Sequence, residues 1–564
     1  MTTIDSAPDA TAVASEQSTI GRLLATDVDW LTSSDHKKIG RMFMGAGLLG
    51  LLATVVVNMI VGIERVDGES IAFDADSWQQ LLSSQRVGLV FGVALPLTAG
   101  LSIAVMPLQL GARSLAFPRL AAASMYAWLG GFILSIIAMV DNGGFGGGNS
   151  DMVDLFLASH GLMALGFTGV GVSLVTSVLT TRAPGMTMRR VPFFAFSTLV
   201  YGIGLVLVMP VLFGVMIYLF VDHRSGAREA FGGNQGIGTW AGWMFTQPTT
   251  FLFAIPAIGV FADLVPTTFR KRTPMRGIVF AGISLVGVSA LAATSQQFRF
   301  DVPWRGSQLY IADGEDFGTK LGDVLPWAFF HLMPIVGAGL LFLMMLFVAK
   351  PTKNDDGETI RPKITPAFLF AFFGFAMVLV GMFGAAIEPI VDLGLIGTVF
   401  SEASLVYVTY GAALGVMGGI ALWAPKLWGK QLPTGPASLL ALAGVGGVVL
   451  ASFPHYIAGF LDQPEALMFD NDNLQIWNIL VLAGHGLFAL TVLGFIGLLA
   501  STVFGGGDDA IDDPFDGQTI EWATTSPAPA GNFVDVPMIT SAEPLLDLKT
   551  ANDGSADLNQ KGAS

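Results

Sequence analysis

The sequence predicts an all-α, polytopic membrane protein of twelve transmembrane helices, and three observations predict it. Of 564 residues, 52% are hydrophobic and only 13% charged, where a soluble domain carries about 25% charged residues. Apolar runs of the ~20 residues that cross a bilayer recur along the chain. The loops between them alternate in charge, as the positive-inside rule requires. A soluble enzyme, a disordered chain and a disulfide scaffold are excluded. With no Cys in the chain, thiolate metal sites, iron–sulfur clusters and Cys nucleophiles are excluded too.

The twelve runs fall at 41–63, 86–110, 120–140, 153–180, 192–221, 241–265, 275–295, 325–349, 365–388, 403–424, 437–460 and 475–504. Lys37, Lys38 and Arg41 open the first. Arg113 and Arg119 follow the second; Arg182, Arg189 and Arg190 the fourth; Arg270, Lys271, Arg272 and Arg276 the sixth. Lys350, Lys353, Arg361 and Lys363 follow the eighth, and Lys426 and Lys430 the tenth. The loops after the first, third and eleventh runs are acidic. A miscounted helix would invert this alternation, so both termini are expected in the cytoplasm. The mixed loop after the seventh run, with Arg299, Arg305 and Lys320, is expected to cover the outer mouth or meet a partner. Pro96, Pro210 and Pro256 lie inside runs, where they bend helices.

Residues 1–30 are small and polar, without a cleavable signal peptide, and read as a disordered lead. The membrane domain spans 31–505, and 506–564 reads as a solvated acidic cytoplasmic tail. From Asp508 onward eleven acids face two lysines, so much of the net charge of −15 is local. Nothing points to nucleic acid; membrane lipid is the surrounding medium.

Several stretches resemble subunit I of the heme–copper (cytochrome c) oxidases. They are TSSDHKKIGRMF at 32–43, MPLQLGARSLAFPRL at 106–120, and the segment from TRAPGMTMRR at 181 through VDHR at 224. GTVF at 397–400, WAPKLWG at 423–429 and DPFDGQTIEWATTSPAPAGNF at 513–533 follow in family order. The resemblance covers about residues 30–535 and implies three arcs of four helices, two hemes, a copper, and neighbours resembling subunits II and III.

The resemblance also implies six His ligands, and carrying them over by motif finds none. The low-spin heme position on the second helix falls on Gln85, or on Ser84 in an ungapped alignment. The copper motif on the sixth helix reads Thr246-Gln247-Pro248-Thr249-Thr250-Phe251. Gln247 stands for the His, Thr249 for the Glu and Phe251 for the cross-linked Tyr. The copper pair falls on Gln296 and Gln297, and the tenth-helix pair on Ala403 and Leu405, or one residue later. The proton-path Asp is Ser114, the paired Arg are His455 and Tyr456, and the eighth run holds no Lys. Imidazole suits iron and copper; a neutral amide offers only hydrogen bonds.

The expectation is therefore a redox-silent pseudoenzyme with no hemes, copper or other metal and no catalytic residue. It would serve as a structural or partner-binding subunit of a respiratory-type complex in a prokaryotic plasma membrane. The EWATTSP tail and basic loops would be its docking surface. The alternatives are a terminal oxidase subunit, oxidising cytochrome c and reducing O2, with rewired ligands, and a transporter or channel using the vacated interior. Intramembrane His160, His331 and His485 are open as parts of a new site, since buried ionisable groups in membranes are functional candidates.

Overall fold

The computed structural model describes residues 30, 32–66, 73–225, 236–296, 317–350, 361–467, 471–536, 538–547 and 549. All but Trp30 of the disordered lead expected at 1–30, and most of the mixed loop after the seventh run (297–316) with Gln297, lie outside these residues.

The described chain is helical, with two isolated bridges and no strand. Its helices of eight or more residues are α1 (His36–Val66), α2 (Ala75–Gln109), α3 (Pro118–Val140), α4 (Ser150–Thr180), α5 (Phe193–Ser225), α6 (Phe251–Phe269), α7 (Arg276–Val286), α8 (Ser289–Gln296), α9 (Val324–Val348), α10 (Pro366–Ile387), α11 (Val399–Trp428), α12 (Thr434–Phe460) and α13 (Asp472–Phe504). Eleven are long and apolar enough to cross a membrane. The seventh run, part of the expected twelve, forms a shorter pair of helices among the described residues, α7 and α8, which part at Gly287 and Val288. The chain tightens there, with Ala290 N–H reaching the Gly287 carbonyl and Leu291 N–H that of Val288. A Cβ on Gly287 would lie 2.4 Å from Val200 Cγ1 of α5, so this point is pressed against a neighbour.

Pro96 distorts its helix where expected, while Pro210 and Pro256 lie inside continuous helices. In α2 the ladder widens to π geometry over Gly88–Ala94, with Leu95 N–H reaching the Val90 carbonyl, just before Pro96. Proline lacks the N–H and its ring collides with the carbonyl four residues back, which an extra residue in the turn relieves. Pro334 has the same effect on Ala328–Leu332 in α9, a turn that carries His331.

Consecutive helices pack in pairs, and α1 closes against α13. The central helices α2 and α11 are buried along their whole apolar length, whereas most of α13 faces outward. Small residues let backbones touch, as membrane packing favours. A Cβ on Gly50 would stand 2.4 Å from the Gly92 carbonyl oxygen, and one on Gly374 2.5 Å from Gly415 N.

The acidic tail differs from expectation: much of it is packed rather than solvated. Ile520, Trp522, Phe533 and Ile539 are buried across one end of the bundle. Lys37 Nζ donates to Asn532 Oδ1 at 2.9 Å, and Asn532 Nδ2 to the Ala112 carbonyl at 2.8 Å. Arg190 donates to the Ile539 carbonyl, Lys363 to that of Pro514 and Lys426 to that of Asp512. Ion pairs join Arg270 to Asp516, Arg276 to Glu543 and Lys430 to Asp509. The basic loops therefore meet at one end. The tail occupies many of the cations expected to form an open docking surface, because its acids are their nearest counter-charges.

Candidate functional site

At the opposite end of the bundle, charged and polar side chains converge between α1, α2, α11, α12 and α13. Their centre is Glu402, 4% exposed, in the first turn of α11. Its Oε2 accepts from Arg65 Nη1 at 2.8 Å, and its Oε1 from Gln85 Nε2 at 2.8 Å. His455 Nδ1 lies 3.8 Å from the same Oε1. Arg65 also donates to the Glu465 carbonyl at 2.9 Å, and its guanidinium sits 5.9 Å from the Trp78 ring centre. Asn478 Nδ2 donates to the Arg65 carbonyl, and Asn478 Oδ1 accepts from Gln463 Nε2. Deeper in the bundle, Asn58 Nδ2 donates to Tyr410 Oη at 2.6 Å, and that hydroxyl lies 3.3 Å from His485 Nδ1. A charge in a bilayer interior is stable only with partners of this kind.

The helix ends place these groups. Thr398 caps α11 by accepting from Phe400 N–H, so the helix begins before Glu402. Helix α1 continues through Arg65 to Val66. The apolar runs read from sequence stop at 63 and start at 403, which leaves both charges outside them. Arg65 and Glu402 are thus functional-site residues that hydropathy reading missed. The available signal was a charge at the edge of each run, Arg65 beside Glu64 at the first and Glu402 at the tenth.

The expected ligand positions are only partly brought together. Gln85, Ala403 and Leu405 lie in or beside this cluster, all buried. Gln247 is buried elsewhere, before α6; its Oε1 accepts from Thr250 Oγ1 and its Nε2 has no partner. Phe251 and Thr249 are buried next to it. Gln296 ends α8. Ser114 Oγ donates to the Leu115 carbonyl, and Tyr456 Oη pairs with Ser404 Oγ at 3.1 Å.

Of the three intramembrane His, only His485 reaches the cluster. His160 Nδ1 bonds the Phe156 carbonyl of its own helix at 2.9 Å, with its ring edge-on to Phe91. His331 is buried in its π turn with Nδ1 unpartnered. Among the described residues, no three His, Cys, Asp or Glu come together so as to hold a metal ion.

A second buried acid closes the opposite end. Glu521 Oε1 accepts from Thr519 Oγ1 at 2.8 Å, Gln109 Nε2 at 3.1 Å and Trp423 Nε1 at 3.3 Å, while Oε2 has no partner. Burial pushes its carboxyl up to about 7, because a charge there loses its hydration. Gln109 Nε2 also donates to Asp263, which accepts the N–H groups of Phe193 and Phe194 at the start of α5. The tail thereby locks α2, α5, α6 and α11 together.

Comparison with known proteins agrees with this architecture. The family described as Cytochrome C and Quinol oxidase polypeptide I matches residues 38–297. The chain is 29% identical to a Streptomyces coelicolor protein named for cytochrome c oxidase subunit 1-beta, over 94% of this chain and 91% of that one. The chain is similar to subunit I of the heme–copper oxidases. The cytochrome c oxidase subunit 1 of Bacillus subtilis is 26% identical over 93% of this chain and 84% of its own. The cytochrome bo(3) ubiquinol oxidase subunit 1 of Buchnera aphidicola is 26% identical over 92% and 79%. This subunit I relative is accordingly a multi-pass membrane protein.

Proposed function

We propose that this chain is a redox-silent member of its family, acting as a structural subunit beside other membrane subunits of a respiratory-type complex. The observation that carries the reading is the direct hydrogen bond from Gln85 Nε2 to Glu402 Oε1. By the motif alignment, Gln85 and the positions just after Glu402, Ala403 and Leu405, stand where the family's helices offer imidazoles to hemes. A 2.8 Å contact leaves no place for an iron between those two atoms. Arg65, His455, Tyr410 and His485 extend the same cluster. The other motif positions carry amides or apolar groups, a donor set that does not suit two hemes and a copper. No redox step is drawn through this chain.

In this reading the interior positions serve packing. Amides at Gln85 and Gln247 keep polar volume where an aliphatic group would leave polar neighbours unpaired. Helices α7 and α8 together make the twelfth crossing, and the end bearing the basic loops and the tail faces the cytoplasm.

The test is the visible spectrum of the purified chain, with metal analysis on the same sample. The expected result is no Soret band and no stoichiometric copper or iron. A Soret band near one heme per chain restores the oxidase reading with rewired ligands. Pull-down from native membranes tests the partner half of the proposal: a chain that co-purifies with no other membrane subunit is not a scaffold.

A further inference from the structure

We propose that the groove between α1 and α13, at the end bearing the basic loops, binds one phospholipid with an anionic headgroup. The groove encloses about 350 Å³. Met42, Gly45 and Leu48 of α1 line one wall, and Leu499, Ala500 and Val503 of α13 the other. Trp30, Arg41 and Trp428 stand among its polar-end residues.

Helical spacing builds the site. Arg41, Gly45, Leu48 and Leu49 follow the three- and four-residue steps that share one helix face. The cation therefore sits in line with the apolar slot rather than beside it. Gly45 opens the slot, because a Cβ there would meet nothing within 4 Å. The walls continue into surface already suited to hydrocarbon: Leu49 is 62% exposed and Phe504 87%.

The headgroup end is positively charged and fixed in place. Arg41 Nε donates to the Lys37 carbonyl at 3.1 Å, and its guanidinium lies 5.1 Å from the Trp30 ring centre. Lys38 Nζ lies 5.8 Å from the same ring. Two cations share one indole at the mouth of an apolar slot, and tryptophan is the residue favoured at headgroup depth. A phosphate without a compensating amine complements the charge of both cations, whereas a zwitterionic headgroup brings a third positive charge to them. Basic pockets between membrane helices recognise anionic headgroups in this way. The charge at one end and the lipid-facing continuation at the other favour a lipid over a polypeptide helix.

The experiment is native mass spectrometry of the full chain in mild detergent, incubated with phosphatidylglycerol or with phosphatidylcholine of the same chains. One phosphatidylglycerol is expected to remain bound under activation that strips phosphatidylcholine. K38Q/R41Q should weaken phosphatidylglycerol retention about 25-fold, roughly fivefold for each charge, and leave phosphatidylcholine unchanged. Gly45→Leu should fill the slot and reduce retention of both. Because K38Q/R41Q alters only the rim, it keeps the test valid if Gly45→Leu misfolds. Equal retention of the two lipids by the wild type, or phosphatidylglycerol retention indifferent to K38Q/R41Q, overturns the proposal. So does a co-purifying polypeptide that Gly45→Leu releases, which would give the groove to a protein partner.

Discussion

Removing the carboxylate of Glu402 should be among the most destabilising single changes in the chain. Its ion pair with Arg65 spans 2.8 Å, with each side chain 4% exposed. Glu402→Leu leaves the Arg65 guanidinium buried with the Glu465 carbonyl and the Trp78 face as remaining partners, and strips Gln85 Nε2 of its acceptor. Orphaning one member of a buried pair costs about 3–5 kcal/mol. Replacing both members with apolar groups removes the uncompensated charge and is often close to neutral. The double variant R65M/E402L should therefore recover most of that loss, short of roughly 1–3 kcal/mol for the unpaired Gln85 amide. Adding Gln85→Leu should recover that remainder. Equilibrium unfolding in mixed detergent micelles, run as a double-mutant cycle, measures each step. The reasoning fails if Glu402→Leu costs less than about 1 kcal/mol, or if the double variant loses the sum of the two single losses, because the pair would then be uncoupled.

Three further outcomes are expected. Gln247→His should bind no copper by metal analysis, because Phe251 and the amides of Gln296 and Gln297 still fill the other motif positions; a stoichiometric copper signal contradicts the ligand argument. Glu521→Gln should flatten the pH dependence of stability: with its carboxyl raised to about 7 from an ordinary 4.5, the wild type binds the proton more tightly folded than unfolded. Wild-type stability should then fall as pH rises from about 4.5 to 7 and level off above, by on the order of 3 kcal/mol, and a variant with the same slope excludes Glu521 as the source. Gly50→Ala should cost about 1–3 kcal/mol by overpacking α1 against α2, since its Cβ would press on the Gly92 carbonyl, whereas Gly45→Ala, facing open space, should change thermal stability little.

The membrane class, the positions of eleven helices and the family resemblance were legible in the sequence, because each rests on patterns local to the chain. Hydropathy over ~20 residues marks a span, and RAPGMT and EWATTSP are contiguous. The failures were also local in origin. A run of apolar composition at 275–295 does not reveal that Gly287 is pressed against Val200 and breaks the helix. An acidic tail reads as solvated until its counter-charges are seen within reach. Hydropathy edges cut off Arg65 and Glu402, since a charge ends an apolar run whether it meets water or a buried partner.

By itself the sequence determined the supply of side chains: six His, no Cys, and amides such as Gln85 and Gln247 among apolar spans. Tertiary structure alone decided what those side chains meet. Gln85 meets Glu402 across 317 residues of sequence, and Lys37 meets Asn532 across 495. Periodicity fixes which face of a helix is apolar, but not which other face it will meet. A buried charge is held by whichever partner that meeting supplies.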